Sequence, residues 1–214
     1  MPMSFVKTQS APDKKGEILD IAAREFAAHG YAAVSMRHLA NRAKITPAAL
    51  YHYYAGKEAM YYAVLKNVFA DKAAVFIEKT AGDGTPEENL DNAIYGAVKL
   101  FSSDDVYKRL LQRELLDGSG ARLNSLAHDA IEAPFQAIER LLGQLAPGAD
   151  TRRSTTTAFA LILGQIQLRP ILKGALLTGS SAQENGEDAL LSFAKYVKSI
   201  MLYSLDVKRE MTPS

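Results

Sequence analysis

The segment 35–57, SMRHLANRAKITPAALYHYYAGK, decides the fold of this chain. Its pattern predicts one helix over residues 36–43, a tight turn at 44–45 and a shorter helix over 48–54. Another helix begins at residue 57. Two helices joined by a tight turn form a helix-turn-helix, in which the second helix enters the major groove of DNA.

Capping residues mark where both short helices begin. Ser35 and Thr46 have side-chain oxygens that can accept a hydrogen bond from a free N–H of the following helical turn. Pro47 follows at the first helical position, where the missing N–H costs nothing. Small and apolar residues then recur where they can share one core: Leu39, Ala40, Ala43, Ile45, Leu50, Tyr53 and Tyr54.

This segment closely resembles the DNA-binding domain of the tetracycline-repressor-like (TetR/AcrR) regulators, over residues 14–65. The resemblance is carried by Ile18, Phe26, Gly30, Tyr31, Ala40, Ala43, Ile45, Thr46, Leu50, Tyr51, Tyr53, Tyr54, Lys57 and Glu58. Lys44 departs from the family pattern, because glycine usually holds this turn position. A left-handed conformation at Lys44 would cost about 1–2 kcal/mol. Tyr54 is a second departure, at a position where phenylalanine is usual.

Composition excludes several classes of protein. The chain is 48% hydrophobic but has no run of 18 apolar residues, so we expect a sizeable core and no membrane span. It has no cysteine, which excludes disulfides and fits a reducing cytoplasm, where we expect the protein to act. The net charge is +1, yet residues 1–60 carry eight Lys/Arg against five Asp/Glu. A mildly basic N-terminal segment suits a DNA-binding domain, which we call the head.

Helical periodicity continues beyond the motif, and no strand pattern competes with it. We expect an all-α protein of about nine helices, the others covering 13–29, 57–80, 86–101, 104–116, 121–145, 151–169 and 187–207. Thr85 and Glu88 predict a capping box before the fifth helix. We expect Pro134 to kink the seventh helix and Pro170 to interrupt the eighth. The expected domains are a disordered arm (1–12), the DNA-binding domain (13–58), a helical ligand-binding and dimerisation domain (59–208) and a tail (209–214).

Short side chains at the front of the second motif helix suit a groove-binding surface. Ala48 and Ala49 let the helix sit deep and can touch thymine methyl groups, while Thr46 can donate to a phosphate. The expected DNA-binding residues are Arg37, Lys44, Thr46, Pro47, Ala48, Ala49, Tyr51, His52 and Lys57. His38 lies beside them. For Arg37, His38 and Lys44 a purely solvated position is the open alternative.

Catalytic motifs are missing from the sequence. The four histidines do not have metal-binding spacing, and there is no Walker loop, no G-x-G-x-x-G and no G-x-S-x-G. We therefore expect no enzyme, no metal and no cofactor.

The resemblance implies a ligand cavity in the second domain. We expect it to be lined by Phe69, Phe76, Tyr95, Phe101, Arg113, Phe135, Gln165 and Arg169. The alternative is that the aromatic residues are plain core, that Arg113 and Glu114 form a salt bridge, and that Arg169 lies at a dimer rim.

The resemblance also implies a homodimer built from the last two long helices. The expected interface residues are Ala158, Leu161, Ile162, Leu190, Phe193, Val197, Ile200 and Met201. The alternative is that both apolar stripes are buried within one subunit.

The implied function is a transcriptional repressor that binds a pseudo-palindromic operator as a dimer. A partly apolar small molecule would release it by shifting the fourth helix. An activator or unliganded regulator on the same fold, and a helical enzyme or carrier, are the alternatives.

Overall fold

The structure, a computed structural model, describes residues 14–175 and 186–211. These residues form an all-α fold without strands, as the sequence predicts. The elements are α1 (Lys14–Ala33), α2 (Met36–Arg42), α3 (Pro47–Tyr53), α4 (Lys57–Thr80), α5 (Pro86–Ser103), α6 (Asp105–Asp117), α7 (Gly120–Leu126), a π-helical turn (Ala127–Ile131), α8 (Glu132–Leu145), α9 (Thr151–Ala175) and α10 (Glu187–Met211). The expected arm, with its cap at Asp13, lies outside the described residues.

Side-chain caps begin the helices where the sequence predicts them. The Ser35 hydroxyl accepts from the His38 N–H at 3.1 Å, which starts α2. The capping box of α5 is confirmed, since the Thr85 N–H donates to Glu88 at 2.8 Å and the Glu88 N–H donates back to the Thr85 hydroxyl. Asp104 caps α6, one residue later than expected.

Two backbone positions shape the head. Gly30 breaks the helical path of α1 with φ 82° and ψ 165°, at the position where the sequence predicts the helix to end. Lys44 has a φ of 55° in the turn between α2 and α3, which is the left-handed conformation that glycine usually supplies.

Three sequence expectations are wrong. The helix expected over 121–145 divides at the π-helical turn, and Pro134 lies in the first turn of α8 rather than at a mid-helix kink. The π-helical turn ends three residues before Pro134, and such turns are a usual way for a helix to accommodate an interruption of its hydrogen bonds. α9 continues through position 170 to Ala175. Tyr53 is 41% exposed, because it projects away from the motif core that Leu50 fills.

α4 is the central helix of the fold. α1 packs against α4 and α6, while α4 also packs against α5, α8 and the π-helical turn. α5, α8, α9 and α10 complete the body. One hydrophobic core runs along α4 from Met60, in the DNA-binding domain, to Phe69, in the C-terminal helical domain. No helix in the described ranges is both long and apolar enough to span a bilayer.

Candidate nucleic-acid interface and effector cavity

The outer surface of the helix-turn-helix carries most of the expected DNA-binding side chains. Arg37, Lys44, Thr46, Pro47, Ala48, Tyr51 and His52 are exposed, and Ala49 is half-buried. Tyr51 is 52% exposed although it is aromatic. Leu50 turns the opposite way and is fully buried, so that the core fixes which face of α3 points outward.

The start of α3 is arranged for contact with an anion. The Thr46 hydroxyl accepts from the Ala49 N–H at 3.2 Å and keeps its own O–H as a donor. Lys57 begins α4, the next helix in the chain. Its ammonium donates to the Ala32 carbonyl at 3.2 Å and lies 4.4 Å from the centre of the Tyr31 ring. A lysine ammonium has three donors, so Lys57 can still bind a phosphate.

A buried carboxylate that the sequence analysis missed ties α1 to α2. Glu25 Oε1 accepts from Arg42 Nε at 2.7 Å, and Glu25 Oε2 bonds His38 Nε2 at 2.6 Å. The bond to His38 and the charge and bond of Arg42 hold the pKa of Glu25 below its ordinary value. His38 is therefore engaged in the head itself. A glutamate on a helical face gives no sign in sequence of the helix that it will meet.

A cavity opens in the body between α4, α5, α6, the π-helical turn, α8 and α9. Its volume is about 70 Å³, which is smaller than a usual small-molecule site, so a ligand of that class would have to widen the cavity. The residues that line it are Lys72, Ala73, Phe76, Ala97, Leu100, Phe101, Tyr107, Leu111, Leu115, Leu126, Ala130, Ile131, Pro134, Phe159 and Leu163. Burial raises the pKa of the Tyr107 phenol to about 12, with a further contribution from Asp104.

Two of the residues expected in the cavity line it, Phe76 and Phe101. Phe69 lies behind the wall, with its ring 4.9 Å from that of Tyr107. Phe135 packs against the wall residue Phe159 at 5.6 Å.

The polar residues expected there lie elsewhere. Tyr95 points away from the cavity and donates to Glu187 at 2.6 Å, because its place on α5 faces α10. Gln165 is exposed. The side chain of Arg169 lies outside the described residues.

Arg113 was also expected in the cavity, but it joins the body to the head. Its guanidinium donates to the carbonyls of Ala27 at 3.1 Å and Ala28 at 2.9 Å, which precede the break in α1. A β-carbon at Gly30 would lie 2.6 Å from Arg113 Nη1, so a larger residue would displace this guanidinium, and the φ of 82° independently favours glycine.

Glu114, the next residue on α6, pairs with Arg122 of α7 at 3.0 Å rather than with Arg113. Only 2% of Glu114 is exposed, and its second oxygen accepts from the Tyr61 hydroxyl of α4 at 2.6 Å. Burial and this bond raise the pKa of Tyr61 well above its ordinary value. Arg122 also lies 5.4 Å from the centre of the Tyr31 ring at the end of α1. We call Tyr31, Tyr61, Glu114 and Arg122 the junction cluster.

Comparison with known proteins finds similarity both to the helix-turn-helix segment and to the whole fold. Residues 18–64 match the model of the bacterial regulatory proteins, tetR family. The N-terminal domain of this chain is a tetR-family domain. No curated protein matches the sequence.

Solved structures share the fold over nearly the whole chain. FadR from Bacillus subtilis, solved in complex with stearoyl-CoA, is 16% identical with a TM-score of 0.70, covering 88% of this chain and 98% of that one. The fatty acid degradation regulator FadR from Bacillus halodurans is 18% identical with a TM-score of 0.69, covering 91% and 97%. The ketosteroid regulator KstR2 of Mycobacterium tuberculosis is 18% identical with a TM-score of 0.64, covering 90% and 95%. These neighbours are named as transcriptional regulators, and the likeness shows that this chain has the same fold.

The residues expected at the tetR-type dimer interface divide between two faces. Ala158, Ile162, Val197 and Met201 are buried in the core of their own subunit, and Leu161, Leu190 and Phe193 pack against that core. This inward face is the alternative that the sequence analysis left open. Leu161, Phe193 and Ile200 are only half-buried.

α9 and α10 each carry a second apolar face, which is adjacent to the buried one and points away from the subunit core. On α10, Phe193, Tyr196, Ile200 and Tyr203 follow each other at helical spacing, and Tyr196 and Tyr203 are 58% and 73% exposed. On α9, Leu168 is 52% exposed and lies two turns beyond Leu161. We call this surface the outer α9–α10 face. Large exposed aromatic side chains in a row are typical of a protein interface.

Proposed function

We propose that this protein is a dimeric, ligand-responsive repressor of transcription that acts in the cytoplasm. Its DNA-binding domain comprises residues 13–58, and residues 59–208 form the ligand-binding and dimerisation domain. The observation that supports this most is the exposed face of α3, whose small and polar side chains precede an exposed aromatic pair, Tyr51 and His52. This order of residues suits a helix that sits in a major groove and contacts its edges.

Two heads would read the two halves of a pseudo-palindromic operator. The outer α9–α10 face would pair with its copy about a twofold axis, giving a four-helix interface. A twofold protein matches an operator of the same symmetry, with half-site centres one DNA turn (about 34–36 Å) or a multiple apart.

The cavity supports control by a small molecule. Neighbours of the same fold are named as fatty acid and ketosteroid regulators, and one was solved with stearoyl-CoA. Lys72, Ala73 and Phe76 of α4 line the cavity, whereas Met60 of the same helix lies in the head core. A ligand that displaces α4 would therefore move the heads.

The junction cluster offers a second connection between the cavity and the head. Leu126 at the end of α7 lines the cavity, and Arg122 on the same helix contacts Glu114 and Tyr31. A coupling free energy of about 1–3 kcal/mol would change DNA affinity about 5–150-fold. The ligand needs only to bind the state with misplaced heads more tightly.

Fluorescence anisotropy with operator DNA tests the proposal. The Tyr51→Ala/His52→Ala variant should lose sequence-specific binding and keep weak, salt-sensitive binding, because backbone contacts remain. A control is Leu116→Ala, which truncates an exposed side chain of α6 outside the outer α9–α10 face and should leave specific binding unchanged. Equal specific affinity in the wild type and in the Tyr51/His52 variant would place DNA recognition elsewhere.

A further inference from the structure

We propose that Tyr31 is a positioning residue for DNA binding. Its ring holds the Lys57 ammonium at the start of α4, where the ammonium contacts a DNA phosphate, and Arg122 of the body holds the ring. The inference rests on the proposed function, in which Lys57 binds a phosphate. It adds the contact through which the junction cluster reaches the DNA, by way of a residue of α1 that lies outside the helix-turn-helix.

The break in α1 sets the place of the Tyr31 ring. Gly30, with a φ of 82°, ends the regular helical path, and Tyr31 is the next residue. The centre of its ring lies 4.9 Å from that of Tyr61 on α4 and 6.3 Å from that of Phe26. The rings of Phe26 and Tyr61 are themselves 4.8 Å apart. Packing of these rings against one another leaves Tyr31 little freedom to turn.

Two contacts at the end of α1 fix the side chain of Lys57. Its ammonium lies over the Tyr31 ring at 4.4 Å from the centre, which is within the range of a cation–π interaction, and it donates to the Ala32 carbonyl at 3.2 Å. A long lysine side chain loses much rotamer entropy when it is ordered. These contacts order it before DNA arrives, so that less entropy is lost on binding a phosphate.

The ordered ammonium belongs to a helix start that has free donors. Gly56 precedes Lys57 and gives α4 no side-chain cap. The N–H groups of the first turn can therefore donate to an anion, and the helix dipole favours a negative charge there. The ammonium keeps two donors besides the one that the Ala32 carbonyl accepts. A phosphate at this point would accept from both the helix and the side chain.

Arg122 reaches the same ring from the body. Its guanidinium carbon lies 5.4 Å from the centre of the Tyr31 ring and 5.7 Å from that of Tyr61. Glu114 accepts from Arg122 Nε at 3.0 Å, and the Asp117 carbonyl accepts from a second nitrogen at 2.9 Å. Only 16% of the Arg122 side chain is exposed. Because α6 and α7 hold the guanidinium in place, a movement of α7 would displace the ring and the ammonium over it.

NMR of the full chain with isotope-labelled lysine, without DNA, tests the position of Lys57. The ring current of Tyr31 should shift the ε-methylene protons of Lys57 upfield, and Lys57→Ala assigns this signal by its loss. Tyr31→Phe should keep the shift, and Tyr31→Leu should abolish it. A Lys57 signal at the position of an exposed lysine of the same helix, such as Lys66, would overturn the inference.

A double-mutant cycle with a DNA fragment that the wild type selects tests whether Tyr31 acts through Lys57. Tyr31→Leu should weaken specific binding about two- to fivefold, the effect of one partly exposed cation–π contact, while Tyr31→Phe should bind like the wild type. In a Lys57→Ala background, Tyr31→Leu should have no further effect. An equal loss in both backgrounds would overturn the inference, because Tyr31 would then act only through the stability of the head.

The contribution of the body is tested by changing both partners of one ion pair, since a single change would leave a buried charge unpaired. Glu114→Gln/Arg122→Gln should weaken DNA binding when Lys57 is present and have no effect in the Lys57→Ala background. The control Glu139→Gln/Arg152→Gln removes an ion pair between α8 and α9 and should change neither. An unchanged affinity of the first double variant would refute the role of Arg122.

These outcomes are distinct from a failure of the proposed function. A wild type that selects no DNA fragment would contradict the proposed function, whereas the NMR experiment needs no DNA and decides by itself whether Tyr31 holds Lys57.

Discussion

Lys44 combines an unfavourable backbone conformation with an expected role in DNA binding. Its φ of 55° places a side chain in the left-handed region, in the turn that sets α3 against α2. The sequence identified this position because the family pattern has glycine there. Its exposed ammonium, close in sequence to the cap of α3, gives a reason for keeping lysine, since it can contact a phosphate.

Replacing Lys44 by glycine should stabilise the protein by about 0.5–1 kcal/mol, because the left-handed penalty outweighs the added entropy of the unfolded chain. Lys44→Val should destabilise it, since a β-branched side chain tolerates this conformation poorly. Urea unfolding of the full chain measures both. A glycine variant less stable than the wild type would show that the lysine side chain makes contacts worth more than the strain.

Glu25 makes the head sensitive to acid. The bond from His38 and the bond and charge of Arg42 lower the pKa of Glu25 below 4.5, and the ring of His29 lies 3.7 Å away. The stabilisation is therefore fully present above pH 4.5 and is lost as the pH falls through the lowered folded value.

The Glu25→Gln variant should be less stable than the wild type near neutral pH, by about 1 kcal/mol since Arg42 and His38 are partly exposed. The difference should shrink as the pH falls below 4.5. Thermal unfolding between pH 3 and 7 (conditions chosen to bracket that value) measures it. A difference that is constant over this range would contradict the ionic role of Glu25.

α6 is the element whose role depends most on tertiary structure. Its consecutive residues Arg113 and Glu114 face different partners, the end of α1 and the pair Tyr61–Arg122. Helical spacing identified them as charged residues near a core, but spacing cannot say which helix lies opposite. The caps at Thr46 and Thr85 were predictable because they involve neighbours in sequence. The cavity lining was not predictable from sequence, because apolar residues follow the same pattern in a core and in a cavity wall.

Glu114→Gln should destabilise the protein by about 2–3 kcal/mol, because it leaves Arg122 without its carboxylate in a mostly buried position. Hydrogen exchange at the end of α1 and in α7 should increase together, since the junction cluster holds both. The control Glu78→Gln, on the exposed side of α4, should change neither. Faster exchange in α7 alone would show that the cluster does not join the body to the head.

At the scale of the whole molecule, symmetry decides function, because one head alone reads half an operator. The sequence analysis expects a dimer interface on the last two helices, but four of the eight residues expected there are buried in the subunit core. Two apolar stripes on one helix look alike in sequence. Burial places the inner stripe in the core, and we propose that the outer α9–α10 face pairs with a second subunit.

Replacing Tyr196 and Ile200 together by aspartate should give monomers, because charges would face each other across the twofold axis. The control Leu191→Asp changes a residue that is 42% exposed on the side of α10 facing α5, and should leave the dimer intact. Light scattering at several concentrations measures the mass. A dimer that survives the double substitution would place the interface elsewhere.

Selection of genomic DNA fragments by the purified full chain, at near-physiological salt, tests the central claim most directly. We predict enrichment of a shared inverted repeat whose half-site centres lie one DNA turn or a multiple apart. The Tyr51→Ala/His52→Ala variant should fail to enrich it. Salt-sensitive binding of all fragments without a shared motif, in protein freed of any co-purified ligand, would contradict the account, because it would show that the DNA-binding domain does not read sequence.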